Sequence, residues 1–407
     1  MSTRTVLSGF FSTLLLLALV GCGSRESAQR GFPETFAHEV SFMRQHGDVQ
    51  ILEGPSGSQV ALSAQYQGRV MTSAIEESAA SLGWINHDFI EAGETGTQFD
   101  NYGGEDRFWL GPEGGQYGLY FTQGDPFEFT YWQVPRALHE GTWTIQDQSS
   151  SSITFTRSIQ VTNYSGVTFQ VGVQRTVRLL SPADIRESFD VTIPDNLQWV
   201  GFETANTVTN IGTHSWQPHN GLPSIWILGQ FNPFDVSYVV MPYNAEARGE
   251  IVNTKYFGEI PQERLDIRDN YLIFKCDGNY RSKIGLNPDR ATPVFGSYIP
   301  SKNVLTLIHY NLPPDSKQYV NSMWEHQAHP YGGDVINSYN DGPTEPGQPA
   351  LGGFYEMETS SPALALSPGE SFTHTHRTLH IVGDPLALNP VADHVLRVSA
   401  SMIADGI

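Results

Sequence analysis

Thr168-Phe169-Gln170-Val171-Gly172-Val173, entered through the turn cluster Asn163-Tyr164-Ser165-Gly166, alternates solvent-loving and apolar side chains for six residues. That period of two belongs to a strand with one face buried and one face wet. The same rhythm recurs in Ser237 to Met241 and in Val304 to Tyr310, and Ser367-Pro368-Gly369-Glu370 supplies another turn. Short alternating runs separated by turn clusters predict an all-β fold, a large antiparallel β-sandwich. Helical spacing is confined to the two ends, around Pro33 to His46 and around Asn389 to Val398, so helix should make up less than about one fifth of the chain.

Composition agrees with this reading. The 407 residues include 22 Phe, 17 Tyr and 8 Trp with 39 Gly and 25 Pro, and only 16% are charged, which excludes a coiled coil, a helical repeat or a disordered tail. With 43 Asp and Glu against 23 Lys and Arg the formal charge is −20, a field that repels phosphate backbones, so nucleic acid is not an expected partner.

The first residues carry the most specific signal. Arg4 precedes an apolar run from Val6 to Val20 that is short for a membrane span and closes on Leu19-Val20-Gly21-Cys22. This resembles the lipobox of bacterial lipoproteins, which implies a signal peptide over residues 1–21, an acylated Cys22, a polar tether over 22–31 and one domain over 32–407. The protein is therefore expected to be exported and lipid-anchored to the cell envelope, on the periplasmic or surface side, with the outer membrane favoured. Cys276, the only other cysteine, lies in the strand-like Leu272-Ile273-Phe274-Lys275-Cys276 and reads as a buried small hydrophobe.

Five stretches combine Gly with aromatic, carboxylate, amide or basic residues beyond what strand punctuation requires. Arg69, Trp84 and Asn86 come from the first. Glu105, Arg107 and Trp109 come from Gly103-Gly104-Glu105-Asp106-Arg107-Phe108-Trp109, which leads into Gly111-Pro112-Glu113-Gly114-Gly115. On an extended segment Glu105 and Arg107 would face the same side, and the glycines would let backbone approach a ligand. Asn206 and Trp226 follow, then Lys283 in Arg281-Ser282-Lys283, then Asn340, Asp341, Glu356 and Glu358, of which the last two share a face of a regular strand. Aromatic surface with scattered amides and single charges suits a sugar, which offers apolar ring faces and many hydroxyls.

Glu358-Thr359-Ser360-Ser361-Pro362-Ala363 followed by Leu366-Ser367-Pro368-Gly369-Glu370 resembles the carboxyl-terminal signature of galactose mutarotases, with Gln67-Gly68-Arg69-Val70 and Gly103-Gly104-Glu105 in the places of two earlier motifs. The whole mature chain also resembles an uncharacterised family of exported bacterial proteins with that fold. The resemblance implies a mutarotase-like supersandwich, a carbohydrate ligand, and Glu358 as catalytic base. The two histidine motifs of the mutarotases have no counterpart here, so simple mutarotation is not expected; Glu105 is the second catalytic candidate.

Arg69, Glu105, Arg107, Asn206, Lys283 and Glu358 are expected to converge in one concave site. If the protein is an enzyme, epimerase, lyase and hydrolase chemistries stay open, the last needing Glu358 paired with Glu105 or Asp341; the rival is a glycan-binding lipoprotein without catalysis. His374, His376 and His380 share one strand face, but an outward polar face of the final strand is preferred to a metal site, and neither metal nor cofactor is expected.

Overall fold

The stretch around Thr168 forms the strand Thr168–Leu179, paired antiparallel with Ser152–Thr162 on one side and Gln198–Asn210 on the other. The structure, a computed structural model, describes residues 34–344 and 347–407. The signal segment, Cys22 and the tether lie outside the described residues. The described residues from 34 to 407 belong to a single compact unit, and strand exceeds helix by 37% to 16%.

Those three strands belong to a ten-stranded antiparallel sheet. From one edge it runs through Leu265–Ile267, Tyr271–Cys276, Ser237–Pro242, Val294–Ile299, Val304–Tyr310 and Ser371–Val382, then Gln198–Asn210, Thr168–Leu179, Ser152–Thr162 and Thr144–Gln148. A second, five-stranded sheet has the order Ser282–Leu286, Ile336–Asn340, Tyr355–Ser360, Ser224–Phe231, Arg107–Gly111, and all its pairings are antiparallel. A three-stranded sheet is formed by Gln50–Glu53, Gln59–Ser63 and Arg69–Ala74.

The two larger sheets pack face to face. Ile284, Ile336, Tyr355 and Met357 of the smaller sheet meet Val239, Met241, Phe274, Phe295 and Ile308 of the larger, and each such side chain contributes about 1.5–3 kcal/mol by leaving water. Cys276 is buried in this cluster, where burial pushes its thiol up, so it packs as an apolar group. Because side chains alternate along a strand, the residues between these core positions must point to the far side of the five-stranded sheet.

The expected end helices are present as Phe36–His46 and Pro385–Leu396. The latter lays Leu388, Val391 and Val395 with Ile403 of Ala400–Ala404 on the outer face of the ten-stranded sheet, against Val240, Leu305, Leu379 and Ile381. Helices at His87–Ala92, Arg136–His139 and Pro182–Phe189 were not expected from the sequence pattern. The last did carry a signal: Ser181 and Asp184 form a reciprocal capping box with Pro182 at the first helical position.

The final strand corrects one expectation. His374, His376 and His380 share a face, but it is the inner one, and all three are buried. Thr359 places its hydroxyl between His374 Nε2 at 2.8 Å and His376 Nδ1 at 2.9 Å, and Thr306 meets His380 Nδ1 at 2.8 Å. Burial holds His374 down to about 3 and His376 to about 4, so both are neutral spacers between the sheets.

Candidate functional site

The outward face of the five-stranded sheet carries the cleft. Arg107 lies opposite Leu228, Leu228 opposite Glu358, and Glu358 opposite Asn337; Trp109 lies opposite Trp226, and Tyr339 opposite both Lys283 and Glu356. Directly paired residues and those two apart share a face, so one surface collects two carboxylates, two cations and two indoles. Glu113, Phe129, Trp132, Phe257, Arg281 and Trp324 come in around it from the connecting segments.

Two of the cations in this cleft are paired with carboxylates. Lys283 Nζ donates to Glu358 Oε2 at 2.8 Å, and Trp226 Nε1 donates to the same oxygen at 2.9 Å. Burial works against a charged Lys283, but Glu358 and Glu113 outweigh it and hold its pKa above the ordinary value. Arg107 donates through Nη2 to Glu356 Oε1 while its guanidinium lies 4.1 Å from the centre of the Trp109 ring. Glu356 is nevertheless pushed up to about 7, because burial and the neighbouring Glu358 outweigh Arg107. Glu113 is raised as well by burial, and its Oε1 accepts from Trp132 Nε1 at 2.7 Å.

Several polar atoms here have no partner among the described residues: Glu358 Oε1, Arg107 Nε and Nη1, and Trp109 Nε1. Buried polar atoms in folded proteins are almost always satisfied. One acceptor and three donors left over beside an aromatic surface are what a hydroxyl-rich ligand can satisfy.

Of the residues singled out in the sequence, Arg107, Trp109, Trp226, Lys283, Glu356 and Glu358 meet in this site. The others do not, for identifiable reasons. Glu105 lies between the sheets, fully buried, bonded to His380 Nε2 and to the Ser73 hydroxyl at 2.8 Å. The regular strand begins only at Arg107, and Asp106 bridges Val70 instead, so the expected two-residue alternation breaks just before it. Glu105 and Glu358 thus lie on opposite faces of the sheet, and Glu105 is not the second catalytic group expected beside Glu358.

Arg69 is buried beneath the Gly103-Gly104 loop, donating to Gly103 O and, at 3.2 Å, to Gln67 Oε1. A Cβ on Gly104, which has φ +114°, would stand 2.4 Å from Arg69 Cδ; the glycines admit Arg69 rather than a ligand. Asn206 accepts from Arg175 Nη1 at 2.6 Å between the sheets. Asn86 caps the helix His87–Ala92, and Asn340 holds the turn at Gly278 and Tyr280. Asp341 accepts from the amides of Gly352 and Gly353 and from the Tyr339 hydroxyl, bracing the wall from behind. Trp84 packs behind Phe354, 4.8 Å between ring centres.

Sequence reasoning gave no role to Glu113, Trp132, Phe257 or Arg281. Glu113 and Arg281 stand inside stretches already marked by their glycines and charges, whereas Trp132 and Phe257 lie in loops with no local pattern to betray them.

Among solved structures the chain is similar to a galactose mutarotase-like protein from Lactobacillus casei ATCC 334, at 14% identity and a TM-score of 0.46, over 82% of this chain and 100% of that one. It is similar also to a galactose mutarotase related enzyme from Lactobacillus acidophilus, at 10% identity and 0.44, over 82% and 97%. No curated protein matches it. Its sequence from residue 34 to residue 407 matches the family of unknown function DUF6786, and to that family the chain belongs.

Proposed function

We propose that this protein binds a carbohydrate in the cleft on the five-stranded sheet and acts on it by general acid/base chemistry. The observation that carries the proposal is the placement of two carboxylates on one strand face at an aromatic cleft: Glu356 lines it, and Glu358 stands buried beside it, bonded to the lining residues Lys283 and Trp226. Glu358 has one oxygen held by Lys283 and Trp226 and the other without a partner among the described residues, which suits it to take a proton. Glu356, with its pKa near neutrality, retains a proton to give. Indole and phenyl faces would stack on the ring while Arg107 binds hydroxyls.

A recognition role without turnover is favoured by one observation, the ion pairs that already engage both carboxylates. A glycan array probed with the full chain would supply ligands for both readings. With a bound glycan, following the anomeric and ring protons by NMR should show conversion by wild type and none by Glu358→Gln, whose affinity stays within about tenfold because the amide keeps shape and one acceptor. An unchanged glycan with wild type would leave recognition alone standing.

The proposal includes export and lipid anchoring through Cys22, supported by the apolar run and the Leu-Val-Gly-Cys sequence. No helix among the described residues is long and apolar enough to cross a membrane. Cys22→Ala should move the protein from the membrane to the soluble fraction; unchanged membrane association would refute the anchor.

A further inference from the structure

We propose that the cleft selects an acidic sugar, a uronate residue whose carboxylate pairs with Arg281; the proposal rests on the carbohydrate reading above. Three cations line the cleft, Arg107, Lys283 and Arg281. The first two each have a carboxylate, Glu356 and Glu358. Arg281 has none within ion-pair distance among the described residues, and its buried Nε has no hydrogen-bond partner there.

Arg281 is held by the Tyr339 hydroxyl and by ring faces instead. Its guanidinium carbon lies 3.8 Å from the centre of Phe257, 5.2 Å from Phe129 and 5.9 Å from Trp324. Such contacts fix the group in place without cancelling its charge. A half-buried guanidinium without a counterion is costly, and a planar carboxylate matches its fork with two parallel hydrogen bonds.

The position also fits. Arg281 immediately precedes the strand Ser282–Leu286 and is two residues from Lys283. A ring stacked on the aromatic wall would therefore place an acidic substituent on Arg281 while another part of it meets the Lys283–Glu358 pair. The remaining carboxylate, Glu113, is turned to the Trp132 and Trp324 indoles, and burial favours its neutral form. Even counted together, the three carboxylates Glu113, Glu356 and Glu358 do not outnumber the three cations. A dianionic phosphate would still meet Glu356 and Glu358, so a single carboxylate is the better match.

The test is a glycan array carrying neutral, uronate-bearing and sulfated members, followed by titration calorimetry on each bound uronate glycan and its uncharged methyl ester. Wild-type full chain should bind the uronate form about 10- to 100-fold more tightly than the ester, the range expected of charge-assisted hydrogen bonds. Arg281→Met should erase that preference, and Arg281→Lys should keep part of it, which also shows that substitution at this position leaves a folded protein. Neutral glycans bound as tightly as uronates, with no change in Arg281→Met, would overturn the acidic-sugar assignment and leave the carbohydrate reading intact. Binding confined to sulfated glycans would likewise overturn it. Binding to no glycan would overturn both.

Discussion

Glu356 and Glu358 stand two residues apart on one strand face, yet their surroundings pull them apart chemically. Glu358 receives the Lys283 ammonium and the Trp226 indole on one oxygen. Glu356 has Arg107, but burial dominates and its pKa rises from 4.5 to about 7. A carboxyl with its folded pKa above its unfolded one binds the proton more tightly when folded. The stability this contributes is therefore full below 4.5 and is lost as pH rises through about 7. Glu356→Gln cannot titrate, so its urea midpoint should vary less than that of wild type between these two pH values. If Glu356 supplies the proton, wild-type turnover should also fall as pH rises through about 7, and the variant should be inactive throughout. Parallel stability curves for the two proteins would contradict the buried-carboxyl assignment.

At the scale of the element, one arginine ties the layers together. Arg175, on the strand Thr168–Leu179, donates to Asp106 Oδ1 and to Asn206 Oδ1, each at 2.6 Å, and to Gly68 O at 2.8 Å. It joins the ten-stranded sheet to the segments that lead into the three-stranded and five-stranded sheets, and both Arg175 and Asp106 are fully buried. Removing one partner strands the other charge, so Arg175→Met should cost about 3–5 kcal/mol in chemical denaturation. None of its partners lines the cleft, so glycan binding by the folded fraction should be kept. A cost below about 1 kcal/mol would show that the buried pair does not hold the layers.

In the whole molecule the site exists because two sheets share one core. The inner face of the five-stranded sheet is committed to that core, and its outer face is left to carry chemistry gathered from residue 107 to residue 358. What could be read locally was determined by the sequence itself. Alternation from Thr168 to Val173, the turn residues, the end helices, the burial of Cys276 and the shared face of Glu356 and Glu358 all follow from periodicities that operate within a few residues. The choice between Arg107 and Glu105 did not, since two residues of like spacing part company where Asp106 leaves the strand to bridge Val70. Nor did the partners of Lys283 and Arg281, the inward turn of His374 and His376, or the use of Arg69 under Gly104. Each depends on which strand lies next to which across separations of up to 275 residues, as between Glu105 and His380. Only the assembled core decides that, because register is set by the packing of whole faces and not by the residues that happen to be adjacent in the chain.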